Sequence, residues 1–228
     1  MLGMCSSGIP TAGLRAGERL KIEPMRRNSS TVVVLAGPPP AEVLAAVGRS
    51  MNVALIRPQA GEGHDGLDAA AEALQRAGRA TSPYVLVAAD PLAALAASWQ
   101  AMWDVSRPQG PAGFEQEAVK ALAAWRAGRF ELPDYYLVLA EDRSAEGNSD
   151  DDHGPDFYLG PVRSVRPHRV AFVAAAGPAE QAAGVLQALG SLRHGRWWPG
   201  LDEVIQTART FYPDSLAEGT TTLAAGSR

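Results

Sequence analysis

Residues 162–170 read VRSVRPHRV and set Arg163, Arg166, His168 and Arg169 around a proline. Residues 192–200, LRHGRWWPG, carry Arg193, His194, Arg196 and the adjacent Trp197 and Trp198. Guanidinium forks match the oxygens of phosphates and carboxylates, and paired indoles offer a stacking or cation–π surface. Each segment also holds a histidine able to serve as acid or base. Brought together, the two would form an anion-binding wall. The competing account is structural: the arginines are solvated around a turn, or pair with Asp202 and Glu203 in the first turn of the following helix.

Other candidates are weaker. VLAGPPPAEV stands where a nucleotide-binding loop would, yet it lacks the lysine and hydroxyl of a phosphate loop, and its prolines remove backbone N–H groups. That stretch lacks the G-x-G-x-x-G of a dinucleotide loop as well, and no G-x-S-x-G or H-E-x-x-H occurs in the chain, so the reading is of no cofactor and no metal. GEGHDGLD places His64, Asp65 and Asp68 in a loop after a strand, where glycine flexibility and helix capping explain them. The acid-rich stretch 141–156, which includes His153, lacks the spacing of a calcium loop and reads as a solvated hairpin connection. Asp90, followed by Pro91, fits a helix cap, and it also emerges where ligands bind in α/β folds.

The whole chain bounds these possibilities. It has 228 residues, net charge −4 and one cysteine, Cys5. Length allows one well-buried domain. The negative balance gives no support to non-specific nucleic-acid binding, the apolar runs are too short for a membrane helix, and a lone cysteine fits a cytoplasmic location. Arginine outnumbers lysine nineteen to two and alanine is abundant, as in proteins from GC-rich bacterial genomes. Arginine number therefore carries no meaning here, and only placement does. Residues 1–30 read as a tail or an early start, with nothing periodic before residue 24, residues 31–213 as one α/β domain, and 214–228 as a second tail.

The elements that must position these groups follow from periodicity. Runs at 31–37, 51–58 and 82–90 are short, apolar and β-branched, separated by helical patterns such as Leu67, Ala70, Ala71 and Leu74. That is the grammar of a parallel sheet covered by helices. A helix from Leu92 to Trp103 and another carrying Phe114, Ala118, Ala121, Leu122 and Trp125 follow, their aromatics at core spacing. DYYLVLAED, DFYLGPVRS and RVAFVAA then read as three strands of an antiparallel meander, before helices at about 178–190 and 201–212. The expectation is a mixed sheet of about six strands, parallel in its first half, with helices on both faces. A meander of this kind puts 162–170 and 192–200 at one end of the sheet, beside Asp90 and the carboxyl ends of the parallel strands. Two functions fit. The first is a non-enzymatic binding or accessory protein that holds an acidic partner or anionic ligand. The alternative is an enzyme for a small phosphorylated or carboxylated substrate, with an arginine clamp and His168 or His194 as acid–base.

Overall fold

The computed structural model describes residues 29–37, 39–58, 66–104, 110–141, 156–175 and 177–212. The expectations for residues 1–24, His64, Asp65, His153 and 214–228 lie outside them. Among the described residues the elements run β1 (Thr31–Ala36), α1 (Ala41–Val47), β2 (Val53–Ile56), α2 (Gly66–Ala77), β3 (Tyr84–Val87), α3 (Ala93–Gln100), α4 (Ala112–Arg126), β4 (Tyr135–Glu141), α5 (Arg163–Val165), β5 (Val170–Ala175), α6 (Pro178–Ser191) and α7 (Leu201–Arg209).

The five strands form one sheet in the order β2-β3-β1-β4-β5. Each neighbouring pair is parallel, with Val34 of β1 level with Val87 on one side and Tyr136 on the other. β1 is buried along its whole length, and its side chains divide between the two faces. Val32, Val34 and Ala36 join a core with residues of α2, α3, α4 and α7. Val33 and Leu35 join a second core with residues of α1 and α6. A parallel sheet buried on both faces explains the near-continuous apolar strands.

The antiparallel second half is therefore incorrect, and the strand expected in DFYLGPVRS is helical. Asp156 Oδ1 accepts from the backbone N–H groups of Tyr158 and Leu159 at 2.7 and 2.9 Å, which starts the turn. Pro161 has no N–H to give the Phe157 carbonyl, and the Val162 N–H takes that place at 3.1 Å. The result is a π-helical turn (Tyr158–Val162) that runs into α5. Phe157, Tyr158, Pro161, Val162 and Val165 are buried, a helical spacing rather than an alternating one. With this segment inside it, the connection 142–169 is long enough to cross the sheet and bring β5 back parallel to β4.

Trp99 of α3 ties the thicker layer together. It is fully buried, its indole N–H donates to the Ala208 carbonyl of α7 at 3.1 Å, and its ring meets Phe157 edge-on. Truncation here opens a cavity between three elements and removes the indole hydrogen bond to α7. Trp99→Ala should lower the free energy of unfolding by at least about 3 kcal/mol, measurable by urea denaturation, whereas the same change at exposed Val119 should cost under about 0.5 kcal/mol.

Candidate functional site

Because all strands run the same way, their carboxyl ends share one edge of the sheet. β1 sits in the middle, and the chain leaves it first toward β2 and β3 and later toward β4 and β5. Such a reversal opens a crevice between strand ends. A cavity of about 490 Å³ occupies it, bounded by Leu35 to Gly37 of β1 and its loop, Ala88 and Asp90 after β3, Val138 and Leu139 of β4, and α3. Gly37 ends β1 with φ at 90°, a left-handed conformation in which a side chain would be strained.

Four polar side chains among the described residues reach this crevice: Asp90, Gln100, Asp156 and Tyr158. Asp90 Oδ1 accepts from the Leu92 N–H at 2.9 Å, closing the turn that leads into α3. Its other oxygen accepts from the Tyr158 hydroxyl. The carboxyl thus opens on the cavity while protein surrounds its back. Burial pushes its pKa up from the carboxylate range to about 6, against the pull of the two hydrogen bonds. Beneath the pair lies Tyr136, fully buried, with its ring 5.2 Å from that of Tyr158. Its hydroxyl has no hydrogen-bond partner among the described residues. Burial and then the Asp90 charge hold the Tyr136 hydroxyl well above its ordinary pKa, and the same two causes act on Tyr158. No lysine, arginine or histidine among the described residues lines the crevice.

The basic segments lie elsewhere. Arg163 to Arg169 precede β5, and a parallel β5 begins at the amino edge of the sheet. Residues 193–198 meet them there. The Arg166 Nε donates to the Trp197 carbonyl at 2.7 Å, and the Arg169 guanidinium stacks on the Trp197 ring at 3.5 Å while donating to the Tyr135 hydroxyl. That hydroxyl accepts the Arg193 N–H at 3.1 Å. Arg196 pairs with Glu131 at 3.3 Å, and the Trp198 indole donates to the Pro133 carbonyl at 2.7 Å. His194 Nδ1 bonds the Ser30 carbonyl at 2.8 Å and sits 3.6 Å from the buried Asp134 carboxylate. Arg163 and His168 are exposed. A smaller cavity of about 200 Å³ opens at this edge among Trp125, Arg196, Trp197 and Trp198.

The expected composite site is thus divided. The arginine, histidine and tryptophan segments come together, but at the amino edge, because the meander that would have placed them beside Asp90 does not form. Asp90 alone of the proposed site residues stands at the crevice. Asp156, Tyr158, Tyr136 and Gln100 were not singled out from the sequence. The signal for Asp156 and Tyr158 was an aspartate two residues ahead of a tyrosine at the start of a helical apolar spacing.

The chain matches no family model and no curated protein sequence. It is similar in structure to the crystal structure of the NadR protein in complex with NAD and AMP-PNP, at 14% identity and a TM-score of 0.43, over 76% of this chain and 53% of that one. It is similar also to the NadR protein in complex with NR, at 14% identity and a TM-score of 0.40, over 76% of this chain and 55% of that one. The chain spans about half the length of both. Among the described residues no helix is long and apolar enough to cross a membrane.

Asp90 makes a checkable link between the crevice and stability. Between the ordinary carboxylate range and about pH 6, the folded protein keeps a proton that the unfolded chain has released. Stability therefore falls as pH rises through that window and levels off above it. An asparagine at this position can still accept the Leu92 N–H and has no charge to bury. Asp90→Asn should equal the parent below about pH 4 and exceed it by up to about 3 kcal/mol at about pH 7.5, read from urea denaturation at the two pH values.

Proposed function

We propose that the protein binds a small molecule in the crevice beyond the carboxyl ends of β1, β3 and β4, with Asp90 as the group that holds it. The observation that carries this reading is the Asp90 carboxyl itself: it opens on a cavity of about 490 Å³ at the one place in the described sheet where strand connections diverge. A carboxylate desolvated by burial and given only two hydrogen bonds is held at a cost to the fold, a condition common at functional sites. Binding rather than catalysis is proposed, because the described lining of the crevice holds no nucleophile–base pair.

A thermal-shift screen of nucleosides, sugars, amines and carboxylates tests it when run on two proteins. Ala97 lines the crevice and is exposed on α3, so Ala97→Phe fills the site without touching the core. Ligands that stabilise the parent should lose their effect on this variant, with unliganded melting points within about 2 °C. Hits that stabilise both equally place the site elsewhere and refute the reading.

A second reading assigns the amino edge to an acidic protein partner. The cavity among Trp125, Trp197 and Trp198 favours it, with the Arg196 side chain still 63% exposed at its rim beside Glu131. An enzyme that clamps a phosphorylated substrate with these arginines has less support, since Arg166, Arg169 and His194 hold internal partners. The two roles of this edge separate experimentally. Arg163→Ala with Arg196→Ala should leave the melting temperature within about 2 °C and abolish salt-sensitive binding of oligoglutamate, followed by tryptophan fluorescence. Arg169→Ala should instead destabilise by about 1–2 kcal/mol through loss of its stacking and its bond to Tyr135. Absence of oligoglutamate binding to the parent removes this second reading.

A further inference from the structure

We propose that the crevice selects a small organic cation, a molecule bearing an ammonium or guanidinium group, over neutral and anionic ligands. This rests on the reading of the crevice as a binding site and names the chemistry of its ligand. Three observations converge on it. The polar lining is two carboxylates, a phenol and an amide, with no cationic side chain among the described residues to receive an anion. Pro39 and Pro40 lack N–H groups, so the loop beyond Gly37 offers little backbone to an anion either. The third is the Asp90 carboxyl at the crevice, which has the Tyr158 hydroxyl and the Leu92 N–H as partners and no cationic side chain beside it among the described lining residues. A cation seated against Asp90 would offset the carboxylate's desolvation by direct charge pairing and give the site its missing counter-charge.

The spacing argues for an organic cation and against a metal ion. Asp156 holds the backbone end of Tyr158, and Asp90 holds its hydroxyl end. The two carboxylates thus engage opposite ends of one tyrosine, and no group of three His, Cys, Asp or Glu side chains placed to hold a metal ion exists among the described residues. A cavity of about 490 Å³ suits a molecule of several heavy atoms whose charged end meets Asp90 and whose far end reaches toward Asp156. The apolar walls, Leu35, Ala93, Ala96 and Val138 among them, fit a short hydrocarbon spacer.

Titration adds a second readout. The ionisable groups facing Asp90 are Tyr158 and Asp156 from the helical turn and Tyr136 from β4, while α3 and the described part of the loop after β1 present none. Both tyrosines stay neutral over the working range. Acidification thus acts on the ligand through Asp90.

The test is calorimetric titration of the full chain with a panel of amines and guanidines, led by 1,4-diaminobutane, against the neutral isostere 1,4-butanediol and inorganic phosphate. At pH 7.5 a cation of the panel should bind at least tenfold more tightly than its neutral isostere, and phosphate should not bind in the crevice. Binding of the cation should weaken about tenfold between pH 7.5 and pH 5, as Asp90 takes up a proton. Asp90→Asn should lose at least tenfold in affinity, while Ala97→Phe blocks binding outright. Equal affinity for the diol, unchanged affinity in Asp90→Asn, or no response to any cation overturns the proposal. If neutral ligands bind the parent and fail with Ala97→Phe, the crevice remains a binding site and only its preference for cations is lost.

Discussion

Val32 and Asp134 exchange two hydrogen bonds at the amino ends of β1 and β4. The Asp134 N–H donates to the Val32 carbonyl at 2.8 Å, and the Val32 N–H donates to Asp134 Oδ2 at 2.7 Å. A fully buried carboxylate is tolerated only where donors surround it, and here the Gly195 N–H adds one at 3.3 Å, with the His194 ring 3.6 Å away. The aspartate thereby locks β4 beside β1 in parallel register and fastens the 193–200 loop beneath both. β5 in turn pairs parallel to β4, so a crossover must join them; the crossover carries the π-helical turn, and the turn delivers Tyr158 to Asp90.

The two ends of the sheet are built by opposite electrostatic solutions. At the amino edge, guanidinium groups stack on aromatic rings and donate to carbonyls, a hydroxyl and Glu131, so positive charge is largely engaged in holding loops together. At the carboxyl edge, a carboxyl is left facing a cavity with a neutral phenol for company. Interactions of the first kind close a structure, because each donor has its acceptor. The second leaves a group whose environment a ligand could improve. Arginine density in the sequence drew attention to the first edge, while the physical imbalance lies at the second.

α7 shows how the layers support the crevice from a distance. Arg209 meets the Glu115 carboxylate with two nitrogens at 2.9 and 2.6 Å, and Tyr212 adds a hydroxyl donor at 2.7 Å. These contacts hold α7 on α4, and the Arg209 hydrogen bond keeps Glu115 below its ordinary pKa. Trp99 then hangs from the Ala208 carbonyl, which fixes α3 along the wall of the cavity. The pair is partly exposed and each contact is modest by itself. Its effect comes from anchoring a helix that bears a buried tryptophan.

The sequence by itself determined the parallel half, both helical layers and the core aromatics. Continuous β-branched runs at 31–36, 53–56 and 84–87 can be buried on two faces, and the stripe through Leu95, Ala96 and Trp99 has a helix period. Asp90 was legible as a group at a strand's carboxyl end for the same local reason. The direction of β4 and β5 was not, since a strand's alternation is identical whichever way its neighbour runs. Nor was the nature of residues 157–165, where Tyr158 and Val162 have strand-forming side chains but Asp156 and Pro161 impose a helical turn through hydrogen bonds made and withheld. Which end of the sheet receives the arginines depends on β5 running parallel to β4, which itself lies parallel to β1 about a hundred residues away in the chain. Local residue pattern decides which segments are strands and helices, and only the packing of distant segments decides which side chains meet.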